Sequence, residues 1–243
     1  MLVINADDLG RSRAETKAAL DCFLKGRITC ATAMVFMEDS ERAADLAKEH
    51  GLDVGLHLNL DQNYNGRAPS PAAGEAHRRV ARFLASGKLA RLIYHPLLGR
   101  QFRDVFQSQM DEFVRLYGAA PSHIDGHHHQ HLCLNMVLGE VLPKGAKVRR
   151  NFSFEPGEKS FLNRAVRRFI DRRLARHHRL TDYFFTLEEA LQRKHLDRIA
   201  RLAKSAEVEL ETHPAKPAEY SWLLSEECGA MTRGLEMVPY ASL

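Results

Sequence analysis

The chain has 243 residues, of which 44% are hydrophobic and 27% charged, and its formal net charge is +4 at pH 7. This length suits one domain with a full core, and the composition excludes a disordered or fibrous protein. The modest positive charge does not by itself indicate nucleic-acid binding, and no apolar run approaches the ~18 residues that a membrane helix needs.

Short apolar runs alternate with helical patterns along the whole sequence. We predict strands at 2–5, 29–36, 53–60, 122–125, 146–150, 207–213 and 235–241. Between them, apolar spacing and good helix formers predict helices at 12–25, 38–50, 75–92, 101–117, 161–178 and 187–205. The turn-rich segment 61–74 is predicted to be a long loop. This order predicts an α/β fold with a mostly parallel sheet, open or closed into a barrel, in one domain over residues 1–243.

Polar side chains recur where four of the predicted strands end. Along the chain they are Asp7, Asp8, His57, Asp125, His127 and His213. Two of them lie in HIDGHHHQHL (123–132), a stretch that holds five of the thirteen histidines. Because loops at the carboxyl ends of parallel strands build the sites of α/β folds, we expect these side chains to converge.

Each of these residues also has a purely structural interpretation. The Asp7–Asp8 pair can be a turn in which Asp8 or Ser12 caps the following helix. His57, inside an apolar strand, can be a hydrogen-bonded core histidine. A histidine-rich tract can be a solvated surface segment. We favour a shared function because four separate strands deliver such residues to the same end of the sheet.

Together these residue types suit one kind of chemistry. Two imidazoles and a carboxylate can hold a divalent ion and leave positions open for water and substrate. A further carboxylate can act as general base on that water, and another histidine as general acid. Since neighbouring side chains on a strand point in opposite directions, Asp7 and Asp8 are expected to take different roles.

The motifs NADDLG, GLHLNL, HIDGHHHQH and ETHP occur in this order and resemble those of the YdjC-type carbohydrate deacetylases, which include chitooligosaccharide deacetylases and hopanoid-associated members. The resemblance spans most of the chain and implies an irregular (β/α) barrel-like fold. It implies metal-dependent removal of acetyl groups from N-acetylated sugars, with magnesium or zinc, and a homodimer. Carried over by motif, it implies Asp7 as base, His213 as acid, and as metal ligands Asp8, His57 and His127. The region 61–100 matches poorly, so the particular acetylated sugar is left open.

Five further residues are candidates for contacts to the ligands or to the substrate: Asp125, His129, His131, Arg149 and Arg150. Asp125 is predicted to accept a hydrogen bond from a ligand imidazole and so fix its tautomer. His131 is the rival of His127 as ligand, because it would share its face if a helix began at once. Either arginine is predicted to pair with Asp7 or with the substrate.

Two other functions fit parts of the sequence. The same ligands could serve another metal-dependent hydrolase, such as a phosphoesterase or an amidase. The segment 161–179 has an apolar helical face with seven arginines mostly opposite, which also suits binding to nucleic acid or to a membrane surface. We favour a helix whose apolar face packs on the core. We therefore predict an acetylated sugar as partner, with no nucleic acid and no membrane span.

The cysteines and the first residues bear on the cellular compartment. The cysteines are far apart and include no CxxC pair: Cys22, Cys30, Cys133 and Cys228. We expect reduced, buried thiols, as in a cytoplasmic protein, and neither a disulfide framework nor a cysteine zinc site. The opening MLVINADDLG has no basic leader and becomes charged at Asp7, so no signal peptide is predicted.

Overall fold

The structure is a computed structural model that describes residues 1–87, 89–154 and 157–243. Its strands are β1 Leu2–Leu9, β2 Cys30–Ala33, β3 Val54–Leu58, β4 Ile124–Gly126, β5 Tyr183–Thr186 and β6 Val208–Thr212. Its α-helices are α1 Arg13–Leu24, α2 Ser40–His50, α3 Pro71–Ala85, α4 Gly99–Tyr117, α5 Leu134–Leu138, α6 Phe161–Leu174, α7 Leu187–Arg193, α8 Leu196–Ala203, α9 Pro217–Leu223 and α10 Glu226–Thr232.

The six strands form one parallel sheet in the order β4-β3-β2-β1-β6-β5, curled into a half-barrel. The central strand β1 pairs with β2 through Asn5 and Cys30, and with β6 through Ile4 and Leu210. All strands run the same way, so their carboxyl ends lie along one edge of the sheet. The predicted α/β fold with a mostly parallel sheet is confirmed.

Side chains alternate between two layers along β1, as the pleat requires. Ile4 and Ala6 belong to the large apolar core that the sheet forms with the helices. On the other face, Val3 packs in a small cluster with Cys30 and Tyr240, and Asn5 and Asp7 make polar contacts. The half-barrel is therefore closed at one end by apolar residues and becomes polar toward the carboxyl edge.

Several predicted elements differ from the observed ones. The segment 146–150 forms only isolated bridges, Val148 to Ile124 and Lys147 to Arg179, and 235–241 contributes a single bridge from Met237 to Leu2. The predicted helix 187–205 is divided into α7 and α8, because Lys194 adopts a left-handed conformation with φ 56°. Three helices were not predicted: α5, α9 and α10.

Strand β5 was also missed. It is a four-residue apolar run, YFFT, which is too short for periodicity to identify. Its strand character depends on pairing with β6. The predicted helix 75–92 ends at Ala85, and a short 3-10 turn covers Ala90–Leu92. Lys88, within that prediction, lies outside the described residues.

Helix α6 packs less completely than predicted. Ile170 and Leu174 are buried, whereas Phe161, Leu162 and Phe169 are 80%, 72% and 53% exposed. The prediction that the apolar face packs on the core therefore holds for Val166, Ile170 and Leu174 and is wrong for Phe161, Leu162 and Phe169. The four cysteines are buried and form no disulfide, as expected. Over the described ranges, no helix combines the length and apolar character needed to cross a bilayer.

Candidate metal and catalytic site

Three of the predicted ligands converge at the carboxyl edge of the sheet. Oδ1 of Asp8 lies 3.0 Å from Nδ1 of His127 and 3.4 Å from Nε2 of His57, and all three side chains are buried. This Oδ1 accepts no well-aligned hydrogen bond despite its burial. Metal–ligand bonds of about 2.0–2.2 Å place neighbouring ligand atoms roughly 3.0–3.5 Å apart. The spacing and the donor types therefore fit a divalent ion.

Asp125 and Thr32 fix the orientation of the His57 ring from its Nδ1 side. Its Nδ1 lies 2.7 Å from Oδ1 of Asp125, and the hydroxyl of Thr32 donates to the other oxygen of Asp125 at 3.0 Å. An Nδ1–H bond to a carboxylate leaves Nε2 with its lone pair toward Asp8, which is the tautomer that a ligand imidazole needs. Burial would lower the pKa of His57, but the charges of Asp125 and Asp7 outweigh it and raise that pKa well above its ordinary value. The surroundings of this imidazole attract positive charge.

Asp7 lies on the opposite side of the strand from the core and is held by Arg149. Each of its oxygens accepts a bond from one terminal nitrogen of Arg149 at 2.7 Å, and Nδ2 of Asn5 donates at 2.8 Å. Burial would raise the pKa of Asp7, but Arg149 and His57 hold it far below its usual range. The carboxyl group of Asp7 is therefore ionised at neutral pH.

Asp8 reaches the same region because the strand is irregular there. Its φ is 67°, in the left-handed region, and the pairing of β1 with β2 shifts register between Ala6 and Leu9. The alternation that would turn Asp8 toward the helices is broken at this residue. Both aspartates thus lie at the site, one bound to an arginine and the other facing two imidazoles.

Arg149 is fully buried and contacts four carboxylates. Besides Asp7 they are Asp125 at 2.8 Å, Glu209 at 2.6 Å and Glu211 at 3.1 Å. Burial raises the pKa of Glu209 to about 7 and that of Glu211 to about 8, despite the attraction of the guanidinium. One arginine does not neutralise four buried carboxylates, so protons or a bound cation complete the charge balance.

Sequence reasoning missed the two glutamates, although a signal was present. In EVELETH, Glu209 and Glu211 alternate with Val208 and Leu210, which places both carboxylates on one face of β6, and His213 follows directly after the strand. A carboxylate at alternate positions of a buried central strand is unusual for a core and common at a site.

His213 lies close to Asp7 and Glu211 at the carboxyl edge of the sheet. One atom from each of these three side chains can be chosen so that all lie within 4.8 Å of one another. Nδ1 of His213 is 3.7 Å from Glu219, whose other oxygen accepts the backbone N–H of His213 at 2.7 Å. Burial would lower the pKa of His213, but Glu219, Asp7 and Glu211 outweigh it and raise it to about 9.

Two other groups of side chains have ligand spacing: Asp7 with His57 and Asp125, and Asp7 with Glu211 and His213. In both, every carboxylate already contacts Arg149. A cation there would have to displace or oppose a buried guanidinium. In the Asp8, His57 and His127 group, the contacting guanidinium is that of Arg11, which is 35% exposed and donates to Oδ2 of Asp8 at 3.1 Å. Oδ1 of Asp8 remains directed toward the two imidazoles.

The histidine tract is not a continuous helix. His128 and His129 have φ of 53° and 55°, in the left-handed region, so the chain reverses its turn between His127 and His131. His131 is fully buried, and its Nε2 donates to the carbonyl of Arg149 at 3.1 Å. It therefore does not share a face with His127, and the geometry favours His127 as the ligand.

The remaining candidates divide between the site and the periphery. His129 lies 3.5 Å from Glu211 and packs edge-on against Phe152, with ring centroids 4.5 Å apart. Arg150 points away from the cluster and binds Asp171 at 3.0 Å. The site opens into a cleft of about 540 Å³, which is large enough for a sugar-sized ligand.

Replacing His127 with alanine is expected to remove most of the bound divalent ion, because one of the three candidate protein ligands is lost. His131→Ala is the matched control: it removes a neighbouring buried histidine whose hydrogen bond is to the backbone, and it should retain the ion. Elemental analysis of the purified variants decides between them. Retention of the ion in His127→Ala together with its loss in His131→Ala would assign the ligand role to His131.

Comparison with known proteins gives the relationship of the chain. The family model described as YdjC-like protein matches residues 1–234. The chain is 34% identical to the chitooligosaccharide deacetylase of Proteus mirabilis (strain HI4320) over 138 residues, which cover 54% of this chain and 50% of that protein. It is 33% identical to the carbohydrate deacetylase of Mus musculus over 135 residues, covering 54% of this chain and 43% of that protein.

The aligned regions thus span about half the length of these relatives. A crystal structure of a protein from Enterococcus faecalis V583 shares the fold, with a TM-score of 0.70 at 18% identity over 99% of this chain and 97% of that chain. With a family match that extends from the first residue to residue 234, this chain belongs to the YdjC-like protein family.

Proposed function

We propose that the protein is a metal-dependent deacetylase that hydrolyses the acetamido group of N-acetylated sugars or oligosaccharides. The observation that carries this proposal is the cluster of Asp8, His57 and His127 beside the convergent pair Asp7 and His213. The names of the relatives, chitooligosaccharide and carbohydrate deacetylases, support the class of substrate.

Asp8, His57 and His127 would hold the ion. When bound, the ion would supply a Lewis acid for the acetyl carbonyl and lower the pKa of water. Nitrogen and oxygen donors admit magnesium or zinc, and two imidazoles among three protein ligands favour zinc.

The chain's own groups supply the proton transfers. Asp7, ionised and held in place by Arg149, accepts the proton of the attacking water. Water attacks the amide carbon, the C–N bond breaks, and His213 donates its proton to the departing amine. Because Nδ1 of His213 lies toward Glu211 and Glu219, Nε2 is the nitrogen available to the substrate. The products are acetate and the free amino sugar.

Acetate release from a panel of N-acetylated sugars and chitooligosaccharides tests the proposal, with p-nitrophenyl phosphate as an alternative substrate. We expect acetate from at least one acetylated sugar, loss of activity with a chelator, and recovery on adding zinc or magnesium. Hydrolysis of the phosphate ester with no acetate release would favour a phosphoesterase on the same ligands. Acetate release that is indifferent to chelation would refute metal dependence.

His213→Ala is expected to retain the ion and to slow amide hydrolysis by about 10²–10⁴-fold, as for a lost general acid. An acetyl ester with a good leaving group should lose much less, because its leaving oxygen needs little protonation. In the wild type, the proton required for catalysis is present below the pKa of about 9 and is lost above it, so kcat should fall as the pH rises beyond about 9. Equal losses on amide and ester would instead indicate a structural role.

The cysteines bear on the cellular compartment of the protein. Four buried cysteines without a disulfide suit a reducing compartment, and we propose the cytoplasm. We also propose that residues 1–243 act as one deacetylase domain. The homodimer implied by the family resemblance stays a prediction, tested by sedimentation.

A further inference from the structure

We propose that the exposed side of α6, together with segment 89–97, binds the surface of an anionic phospholipid bilayer. We call this surface the α6 face. The proposal concerns peripheral binding and does not depend on the deacetylase activity.

The first observation is a concentration of exposed apolar side chains. Phe161 and Leu162 at the start of α6 are 80% and 72% exposed, and Phe169 two turns later is 53% exposed. In segment 89–97, Ile93 and Leu97 are 53% and 81% exposed. Single exposed apolar residues are ordinary, but a cluster of large ones indicates an interaction surface.

The two segments belong to one surface. Leu92 from the first segment and Leu162 and Val166 from α6 line the same cleft of about 340 Å³. Arg91 and Arg167 stand at this cleft as well. Apolar side chains of both segments and two guanidinium groups therefore share one cleft.

The second observation is the charge on the exposed side of α6. With 3.6 residues per turn, Arg168 and Arg172 lie on the same side as Phe161, and Arg176 follows one turn later just beyond the helix. Over the described ranges, no carboxylate forms an ion pair with these three arginines, whereas Arg173 pairs with Glu140. Unpaired arginines between exposed aromatic and aliphatic side chains fit lipid phosphates above an acyl layer.

Other occupants fit this surface less well. A second copy related by two-fold symmetry would bring the unpaired arginines of both copies toward each other. A nucleic acid would satisfy the arginines but would meet Leu162, Ile93 and Leu97, which cannot stack on bases as aromatic rings do. An anionic bilayer satisfies both the charge and the apolar area.

The position of the α6 face gives it a consequence for the site. His129 and Phe152 line both the 340 Å³ cleft and the 540 Å³ cleft of the candidate site. A protein bound through this face would hold the candidate site beside the bilayer surface.

Cosedimentation of the full chain with vesicles tests the proposal. One set of vesicles is phosphatidylcholine alone, and the other is an equal mixture of phosphatidylcholine and phosphatidylglycerol. We expect binding to the mixed vesicles at low ionic strength, weaker binding as salt screens the charges, and little binding to phosphatidylcholine alone.

Two variants separate charge from apolar contact. The triple variant Arg168→Gln, Arg172→Gln, Arg176→Gln should weaken partitioning about fivefold per arginine, or roughly 100-fold in total. The triple variant Phe161→Ser, Leu162→Ser, Phe169→Ser should weaken it at least about tenfold. Two controls change the same properties elsewhere: Arg13→Gln, Lys17→Gln, Lys25→Gln on and after α1 removes three exposed charges, and Leu24→Ser removes an exposed leucine. Both should bind nearly as the wild type.

Unchanged circular dichroism and thermal unfolding establish that each variant is folded. Absence of wild-type binding to the mixed vesicles overturns the proposal. So does an equal loss in the α1 charge control, which would show an effect of net charge alone. A dimer that disappears in the serine variant, without vesicle binding, would assign the face to a second copy. RNA binding that needs the three arginines but not the apolar residues, again without vesicle binding, would assign it to nucleic acid.

Discussion

Asp7→Asn is expected to leave the divalent ion bound and to lower acetate release by about 10²–10⁴-fold. Asparagine keeps the shape of the side chain but cannot take a proton from water. The ion should stay because Asp7 lies against Arg149, whereas the proposed ligand oxygen belongs to Asp8. Metal content and initial rates, measured over a metal titration, provide the readout.

Asp8→Asn is the matched comparison, since it changes the same atoms one residue away. It removes a charged ligand, so metal affinity should fall, and excess metal should partly restore turnover. Rescue of Asp7→Asn by metal, with none for Asp8→Asn, would mean that the two roles are exchanged. Near-normal turnover in both variants would reduce the aspartate pair to a capping turn and would remove the basis of the mechanism.

Arg149→Met is expected to destabilise the fold by about 3–5 kcal/mol, the usual cost of leaving a buried charge without its partner. The substitution leaves Asp7, Asp125 and Glu209 buried without the guanidinium that each contacts. Arg150→Met is the control from the next position, where the side chain is 26% exposed and pairs with Asp171. It should cost no more than about 1 kcal/mol. Urea unfolding at pH 7 gives both values.

The pH dependence of this difference has a definite sign. In the wild type, Arg149 outweighs the effect of burial and holds the pKa of both Asp7 and Asp125 below their unfolded values. That contribution to stability is fully present above the unfolded pKa near 3.8 and is lost as the pH falls toward the folded values. The gap in unfolding free energy between wild type and Arg149→Met should therefore be nearly constant from pH 7 to about 5 and narrow only as the pH falls below about 3.8. A gap that does not narrow below about pH 3.8 would show that Arg149 stabilises by packing alone.

The sequence predicted the convergence of the ligands because topology makes it almost unavoidable. Once β1, β2, β3 and β4 are parallel strands of one curled sheet, residues at their carboxyl ends lie along the same edge, and Asp8, His57 and His127 meet there. The contact of Asp125 with His57 follows from the register of β3 and β4, which pairs these two residues directly. Such features need only strand order and chain direction.

Features that depend on distant segments were harder to predict. Both Arg149 and Arg150 were candidates for Asp7, and only the bridge of Val148 to β4 determines which of them faces the inside of the half-barrel. The relation of His127 to His131 was expected from helical spacing, and two left-handed residues between them change it. A local pattern does not encode a conformation that the surrounding fold imposes.

The left-handed backbone at Asp8 also restricts which residue can occupy the ligand position. For most L-amino acids this conformation costs roughly 1–2 kcal/mol, whereas aspartate and asparagine tolerate it through local hydrogen bonds of their short side chains. Glutamate carries the same charge but lacks this tolerance, and glycine fits the backbone but brings no oxygen. Asparagine is thus the substitution that tests the ligand without straining the main chain, and alanine at this position mixes two effects. The backbone conformation at residue 8 therefore favours aspartate over glutamate independently of the proposed role of this residue in metal binding.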